Sequence, residues 1–343
     1  MKALAIEKFG GVDVATVMDL PQPEPGPGEV SVKLQAAALN HLDLWSVQGV
    51  GGSAVRFPHV LGADGAGTVA GVGDGVSGLR AGTRVIINPG ISCGGCEFCR
   101  AGEQSTCATF RMLGEHEHGT FAEFVTVPAT NAFPYPDHLS PAQAAALGVT
   151  FITAYRMLFT RGRLKPGEWV LITGIGGGLA LSLLQLARPT AGRVYVTSSS
   201  DVKLARAEEM GADGGINYQS EDAGKAVRRL TGKRGVDLVV DSAGGAALAD
   251  GLRALCKGGR LVTSGATAGA TSEVDVRRIF WNQLEIIGST MGSHNDVSNM
   301  LRTVAGAQLR PVIDRTFTLQ EGPAALAYLE SQQHFGKIVL EIA

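Results

Sequence analysis

The chain has 343 residues, of which 45% are hydrophobic and 18% are charged, and its formal net charge is −2. This length allows two domains of ordinary size, and the hydrophobic fraction is sufficient for a large buried core. The near-neutral charge, which contains no long run of one sign, argues against nucleic acid or an anionic membrane surface as a partner. No stretch approaches the roughly 18 apolar residues of a membrane span.

The N-terminus carries Lys2, Glu7 and Lys8 and lacks the apolar core of a signal peptide. Four of the five cysteines lie in one short segment, which is typical of a metal site rather than a disulfide framework. We therefore expect a cytoplasmic protein.

The first 148 residues are rich in predicted strands. Short runs of alternating polarity, separated by glycine and proline clusters, occur at 30–34, 67–72, 84–87 and 122–127. This pattern predicts a barrel-like β domain.

Within this region, Cys93, Cys96, Cys99 and Cys107 have the spacing C-x2-C-x2-C-x7-C. Four thiolates at such spacing can close a tetrahedral shell around Zn²⁺, each at about 2.3 Å from the ion. A closed shell leaves no open position for a substrate, so we predict a structural zinc in a lobe at 90–110. A redox dithiol and an iron–sulfur cluster are the alternatives. We expect Cys256, by contrast, to be a buried apolar residue of a helix.

The pattern changes near residue 142, where an apolar, helix-compatible run begins that extends to 158. From residue 168 onward, strands and helices alternate, which predicts a parallel sheet covered on both faces. The predicted strands are 169–173, 194–198, 236–241, 260–265 and 285–289, with helices that include 179–188 and 202–210. We expect the tail to form short strands, the last of them at 338–342, and to return to the N-terminal domain. The domains would then be 1–148 with 294–343, and 149–293, with a cleft between them.

A glycine-rich turn follows the first of these predicted strands. It contains Gly174, Gly176, Gly177, Gly178 and Leu179, and it lies between a strand and a helix, which is the context that a dinucleotide-binding loop requires. Glycine lets the backbone approach a pyrophosphate, and the helix N-terminus supplies free N–H groups. The alternative is a glycine-rich turn without a ligand.

The end of the next predicted strand distinguishes NAD from NADP, because NAD enzymes usually have Asp or Glu there. This chain has serines at that position, followed by Lys203, and we expect Asp201 to begin the next helix. We therefore predict NADP(H) in preference to NAD(H), although Lys203 could be an ordinary solvated lysine. The remaining predicted cofactor contacts are Ser198, Ser199, Tyr218 and Gly265.

Three further segments carry a family resemblance: Asn40-His41-Leu42-Asp43, the LGADGAG run at 61–67, and the FGKIVL run at 335–340. Together with the order of the predicted domains, they resemble the medium-chain dehydrogenase/reductase family over essentially the whole chain. The resemblance implies a Rossmann-type doubly wound parallel sheet plus a β-rich GroES-like barrel domain. It also implies a homodimer or homotetramer, associated through the edge of the cofactor-domain sheet.

The departures from the family pattern bear on the chemistry. Zinc alcohol dehydrogenases have catalytic ligands at three positions where this chain has Asn40, Ala63 and Val149. Asparagine at the first position is the pattern of quinone and enone reductases, which generally lack the cysteine lobe. The sequence therefore predicts hydride transfer from NADPH to a quinone or an α,β-unsaturated carbonyl, with one structural zinc and no catalytic zinc.

The resemblance places Asn40 near the nicotinamide, where its amide N–H can stabilise a developing oxyanion. His41 is a candidate for binding the nicotinamide ribose or relaying a proton, and Thr153 and Tyr155 are candidates for donating a proton or holding the carbonyl. Asp43, in the same segment as Asn40, completes the predicted catalytic set.

Two other functions remain open. One is an alcohol dehydrogenase or aldehyde reductase with a non-standard metal site, whose candidate ligands are His41, Asp43, His59, Asp64, Glu115, His116 and His118. The other is an NADPH-binding protein without turnover.

Overall fold

The computed structural model describes residues 1–50 and 55–342. Within it, the chain forms two compact units. The first unit contains Met1–Ile152 and the C-terminal residues from Gly292 onward, and the second contains Thr153–Met291.

Strands and helices have the following bounds. The strands are β1 Lys2–Ile6, β2 Thr16–Asp19, β3 Glu29–Ala38, β4 His59–Val60, β5 Asp64–Val72, β6 Arg84–Ile87, β7 Gly90–Ile91, β8 Arg111–Met112, β9 Phe124–Pro128, β10 Ala132–Pro134, β11 Trp169–Ile172, β12 Arg193–Ser198, β13 Gly214–Asn217, β14 Val236–Asp241, β15 Leu255–Thr263, β16 Glu285–Gly288, β17 Ile313–Thr318 and β18 Lys337–Glu341. The α-helices are α1 His41–Gln48, α2 Glu97–Arg100, α3 Pro141–Ala145, α4 Gly148–Tyr155, α5 Gly178–Ala187, α6 Asp201–Glu209, α7 Ala223–Leu230, α8 Gly245–Ala254, α9 Val276–Asn282, α10 His294–Gly306 and α11 Gly322–Glu330.

The main sheet of the first unit has the strand order β10-β6-β5-β3-β18-β17, with β9 also paired to β3. Between Val32 and Gln35, alternate residues of β3 face the core: Val32 and Leu34 are fully buried, whereas Lys33 and Gln35 are exposed. This period of two is the expected consequence of strand geometry. The C-terminal strand β18 pairs antiparallel with β3, so the chain returns to its N-terminal part as the sequence predicted.

The second unit is built on a parallel sheet with the order β13-β12-β11-β14-β15-β16. Numbered within this unit, the order is 3-2-1-4-5-6, that of the dinucleotide-binding Rossmann fold. The central strand β11 has Val170, Leu171 and Ile172 buried in succession, as expected for a strand covered on both faces. The predicted doubly wound parallel sheet is confirmed.

The structure corrects three details of the sequence analysis. Cys256 lies in β15 rather than in a helix, because Gly258 and Gly259, which disfavour helix, follow two and three residues later. Its side chain is only partly buried. The continuous apolar run at 142–158 is divided among α3, α4 and the first residues of a π-helix, Arg156–Arg161. The tail contains α10 and α11 in addition to its strands, so its short apolar runs were misread as strands alone.

Within residues 1–50 and 55–342, no helix combines the length and the apolar character needed to cross a lipid bilayer. The cytoplasmic location stays a prediction.

Candidate active site and metal centre

Three polar side chains meet where strands β18, β3 and β5 lie side by side. The antiparallel register pairs Ala38 of β3 with Asp64 of β5 and with Val339 of β18, so the end of β3 adjoins the starts of both neighbours. Asn40, two residues beyond β3, therefore lies beside Asp64 and Lys337. The sheet register, rather than sequence proximity, creates this cluster.

Lys337 is the centre of the cluster. Its Nζ donates hydrogen bonds to Leu39 O at 2.7 Å, Asn40 Oδ1 at 2.6 Å and Asp64 Oδ2 at 3.0 Å. The side chains of Lys337 and Asp64 are 4% and 0% exposed. Because an ammonium has three donors and no acceptor, all three donors of Lys337 are used.

The second oxygen of Asp64 holds the start of α4. Asp64 Oδ1 accepts a hydrogen bond from Val149 N at 2.6 Å. A Cβ on Gly148 would lie only 2.0 Å from the same oxygen, so glycine is required there to let the carboxylate approach the backbone. Asp64 is thus engaged on both oxygens and cannot rotate without breaking one of these contacts.

Asp43 lies in the first turn of α1 and is 1% exposed. Its Oδ2 accepts a hydrogen bond from Asn40 N at 2.7 Å, whereas its Oδ1 has no hydrogen-bond partner among the described residues. Burial raises the pKa of Asp43 to about 7, the negative charge of Asp64 adds to this rise, and the hydrogen bond from Asn40 opposes it.

The ligand positions of the zinc alcohol dehydrogenases do not fit a metal in this chain. The side chains of Ala63 and Val149 have no donor atoms, and Oδ1 of Asn40 is bonded to the Lys337 ammonium. Apart from the cysteine lobe, no group of three His, Cys, Asp or Glu ligand atoms comes together within the described residues.

Three of the four histidines predicted as possible metal ligands are hydrogen-bonded to the backbone through one ring nitrogen. His59 Nε2 lies 3.1 Å from Gly114 O, and the Nδ1 atoms of His116 and His118 accept hydrogen bonds from Met112 N and Val60 N. These bonds fasten the 112–118 loop to itself and to β4.

The predicted catalytic residues His41, Thr153 and Tyr155 occupy different surroundings. The His41 ring packs edge-on against Trp45 at 4.9 Å between centroids, and partial burial lowers the pKa of His41, which favours its neutral form. In the second unit, buried Thr153 donates to Met291 Sδ at 3.7 Å, and the Tyr155 ring lies 4.9 Å from that of Phe159. Their catalytic roles stay predictions.

The glycine-rich turn connects β11 to α5, with Gly177 as the N-terminal cap of the helix. A Cβ on Gly174 or Gly177 would meet no atom within 4 Å, so space for a ligand is present beside both residues. Gly176 has φ +123° and a Cβ there would lie 2.7 Å from Lys203 Cδ, so the lysine side chain crosses directly over this glycine. Gly178 and Leu179 form the first turn of α5, whose free N–H groups suit a pyrophosphate.

The end of β12 has hydroxyl groups and backbone bonds but no carboxylate. Ser198 is buried and its Oγ accepts from Ser200 N at 3.2 Å, whereas Ser199 is exposed. Ser200 caps α6, so Asp201 is the first residue of that helix, and its Oδ1 accepts from Asn217 Nδ2 at 2.7 Å.

The other predicted cofactor residues follow neighbouring strands. Tyr218, directly after β13, is 47% exposed, and its backbone N donates to Ser198 O at 3.1 Å. A Cβ on Gly265, after β15, would lie 2.5 Å from Ser242 O, so a side chain there would collide with the turn after β14.

Asp241, which sequence analysis missed, joins the ends of three parallel strands. It ends β14, and its carboxylate accepts from Thr173 Oγ1 at 2.6 Å, Gly244 N at 3.0 Å and Thr263 Oγ1 at 3.2 Å. The only sequence signal was an aspartate at the end of a buried strand. We infer that Asp241 holds in place the strand ends that the cofactor would meet.

The cysteine lobe fits a tetrahedral zinc. The Sγ atoms of Cys93, Cys96, Cys99 and Cys107 all lie within 4.8 Å of one another, with separations of 3.5 Å for Cys96–Cys99 and 3.9 Å for Cys93–Cys99 and Cys96–Cys107. A tetrahedron with Zn–S bonds of about 2.3 Å has S–S edges of about 3.8 Å. The observed separations are close to this value.

The pKa values of these thiols differ, because a backbone hydrogen bond acts on one thiol and burial acts on another. The N–H of Cys93 donates to Cys107 Sγ at 3.3 Å, and this bond lowers the pKa of Cys107 to about 6, whereas burial raises the pKa of Cys99 to about 11. Some of the thiols would therefore hold a proton at neutral pH without a cation, and zinc binding would release it.

We predict that Cys96→Ser abolishes zinc binding and lowers Tm. Zinc binding to zinc-finger peptides has a free energy of roughly 10–16 kcal/mol. Even if the loss of zinc lowered the free energy of unfolding by only about 3 kcal/mol, Tm would fall by roughly 6–12 °C. Zinc per chain and thermal unfolding are the measurements, and Cys256→Ser, outside the cluster, is the matched control. Retention of full zinc and stability by Cys96→Ser would contradict a four-cysteine site.

We predict that Asp43 makes folding stability depend on pH. Its folded pKa of about 7 exceeds the unfolded value of about 3.9, so its contribution is fully present below about pH 4 and is lost as pH rises through about 7. Relative to Asp43→Asn, the unfolding free energy of the wild type should fall by about 2–3 kcal/mol between pH 5 and pH 8. Urea unfolding at several pH values measures this difference, and a constant difference would show that Asp43 does not titrate in this range.

Comparison with known proteins identifies the family. Residues 26–137 match the family described as "Alcohol dehydrogenase GroES-like domain", and residues 178–306 match "Zinc-binding dehydrogenase". The NAD-dependent alcohol dehydrogenase of Sulfurisphaera tokodaii is 31% identical, over 99% of both chains.

Solved structures give the same result. A structure of an NAD-dependent alcohol dehydrogenase is 42% identical, with a TM-score of 0.93 over all of both chains. Crotonyl-CoA carboxylase/reductase AntE in complex with NADP is 27% identical, with a TM-score of 0.92 over 99% of this chain and 94% of that one. The chain therefore belongs to the medium-chain dehydrogenase/reductase family and is an NAD(P)-dependent oxidoreductase.

Proposed function

We propose that this enzyme reduces α,β-unsaturated carbonyl compounds or quinones by hydride transfer without a catalytic metal. The observation that carries the proposal is the Lys337–Asp64–Asn40 cluster. It presents an amide at the first ligand position of the zinc alcohol dehydrogenases, and the other two positions have no ligand atom.

The chemistry follows from what this cluster can and cannot do. Alcohol oxidation needs the hydroxyl proton to be removed, which a zinc ion assists as a Lewis acid. A conjugated carbonyl or a quinone is already electrophilic and needs only hydrogen-bond donors at the oxygen where negative charge develops.

When bound, the nicotinamide cofactor supplies the hydride. For an enone, the hydride would form a C–H bond at the β-carbon, the C=C electron pair would move toward the carbonyl oxygen, and a proton would then add at the α-carbon. Asn40 Nδ2 would donate to the oxygen during this step. His41 remains a candidate for binding the nicotinamide ribose or relaying a proton. Tyr155 and Thr153 remain candidates for donating the proton or holding the carbonyl.

The relatives support more than one substrate class. AntE, a reductase of crotonyl-CoA by its name, favours conjugated substrates, whereas the proteins named alcohol dehydrogenases favour the alternative of alcohol or aldehyde chemistry. The absence of donor atoms at Ala63 and Val149 supports the conjugated substrates. A cofactor-binding protein without turnover has no observation in its favour.

For the cofactor, we propose a preference for NADP(H). The end of β12 carries hydroxyl groups, Asp201 is bonded to Asn217, and Lys203 lies over Gly176, where its ammonium could meet a 2′-phosphate. The relative from Sulfurisphaera tokodaii is named NAD-dependent, whereas the AntE structure contains NADP.

We also propose a homo-oligomer formed through the edge of the parallel sheet. Strand β16 lies at the end of the strand order with Ile286 exposed, and helix α9 just before it exposes Val276, Phe280 and Trp281. A second copy, paired to the β16 edge, would satisfy open backbone groups and cover this apolar surface together.

The function is tested by the rate of NADPH oxidation with 2-cyclohexen-1-one, a benzoquinone and a simple aldehyde. We expect turnover of the enone or the quinone, and Asn40→Ala should lower kcat by about 10²–10³, the usual cost of one oxyanion donor. NADPH affinity, measured by fluorescence, should not change, which separates catalysis from folding. Turnover of the aldehyde alone would favour the alcohol dehydrogenase alternative.

The cofactor preference is tested by Lys203→Ala. We expect KM for NADPH to rise about tenfold or more, since one charge-assisted phosphate contact is lost, while KM for NADH changes little. Lys225→Ala, which removes an exposed lysine of α7, is the matched control. Equal effects on both cofactors would contradict a phosphate contact at Lys203.

The oligomer is tested by sedimentation velocity. We expect the wild type to sediment as a dimer or tetramer, and Trp281→Lys to shift it toward a smaller species because a buried lysine would have no partner. Val72→Lys, an equally drastic change at an exposed residue of the first unit, should have no effect. A monomeric wild type would overturn the proposal.

A further inference from the structure

The two ends of an asparagine amide have opposite effects on an oxyanion. Nδ2 carries two donors, whereas Oδ1 is an acceptor that would repel developing negative charge. A half-turn of χ2 exchanges them. An asparagine that is to stabilise an oxyanion must therefore be held in one orientation, and Asn40 alone contains nothing that selects it.

Lys337 selects the orientation of this amide. Because the ammonium only donates, the atom 2.6 Å from Nζ must be the amide oxygen. The opposite orientation would place Nδ2 against Nζ, donor against donor, between side chains that are 7% and 4% exposed. Nδ2 is thereby turned away from Lys337. Among the described residues its hydrogen-bond partner is Ala38 O, in a long bond of 3.4 Å, which leaves an N–H for a ligand.

Lys337 is itself held in place. Its other two donors go to Leu39 O and to Asp64 Oδ2, and Asp64 is fixed in turn by the backbone of Val149. The backbone of Asn40 is fixed separately by Asp43. Asn40 is therefore restrained at its main chain by one residue and at its amide oxygen by another.

We propose that Lys337 is a positioning residue of this reductase, which directs the amide N–H of Asn40 toward the substrate oxygen without contacting the substrate. This inference rests on the proposed function, in which Asn40 is the oxyanion donor. It assigns to the C-terminal strand a role in the reaction besides its pairing with β3.

The experiment is a double-mutant cycle. Lys337→Met alone would leave the Asp64 carboxylate buried without a partner, so the test variant is Lys337→Met/Asp64→Asn and its reference is Asp64→Asn alone. Both are also made in an Asn40→Ala background, and kcat is measured with the best substrate of the enone, quinone and aldehyde panel.

We expect Lys337→Met/Asp64→Asn to have a kcat about 10- to 100-fold below that of Asp64→Asn, with KM for NADPH unchanged. In the Asn40→Ala background the same change should alter kcat less than about threefold, because Lys337 acts through an amide that is no longer present. A residue that only supported the fold would lower kcat by the same factor in both backgrounds.

Two results would overturn the proposal: an unchanged kcat when Lys337 is replaced, or equal fold-changes in both backgrounds. If the methionine variant fails to fold, Lys337→Gln/Asp64→Asn carries the same expectation, since glutamine can both donate and accept and so does not dictate the amide orientation. A wild type inactive on the whole panel would instead overturn the proposed function and this inference with it, whereas an active wild type with equal fold-changes overturns this inference alone.

Discussion

The buried ion pair between Lys337 and Asp64 is the interaction on which the candidate active site depends. Both side chains are almost fully shielded from water, and breaking such a pair by removing one partner typically costs about 3–5 kcal/mol because a buried charge is left alone. The pair is tolerated because each remaining hydrogen-bonding atom has a partner: Leu39 O and Asn40 Oδ1 for the ammonium, and Val149 N for the carboxylate.

This interaction links distant parts of the sequence through the sheet. Strand β18 brings Lys337 to the end of β3, and β5 brings Asp64 to the same place from the other side. The carboxylate then fixes the first turn of α4, where Gly148 leaves room for it. A charge network of this kind sets the position and the orientation of Asn40, which is what a hydrogen-bond donor for an oxyanion requires.

Local signals predicted much of the fold, because strand alternation, the glycine turn between β11 and α5, and the cysteine spacing are each encoded in contiguous residues. The same signals misplaced Cys256, where two glycines outweighed the apolar context. They did not detect Asp241, whose partners lie at the ends of β11 and β15 and in the turn after β14. Lys337 stood in a family motif, but its contact with Asn40 depends on the register of β18 against β3, which no local pattern encodes. The candidate metal ligands His59, His116 and His118 proved to be bonded to the backbone, a use of histidine that sequence does not distinguish from ligation.

We propose that hydride transfer in this enzyme depends on hydrogen bonding by Asn40 and not on a metal at the same position. The most direct test measures zinc per chain and turnover of an enone or a quinone on one sample, before and after treatment with a chelator that removes weakly held metal. We expect about one zinc per chain, held by the four cysteines, and turnover that is unchanged by the chelator. Two metals per chain, with turnover that is lost on chelation and restored by zinc, would contradict it.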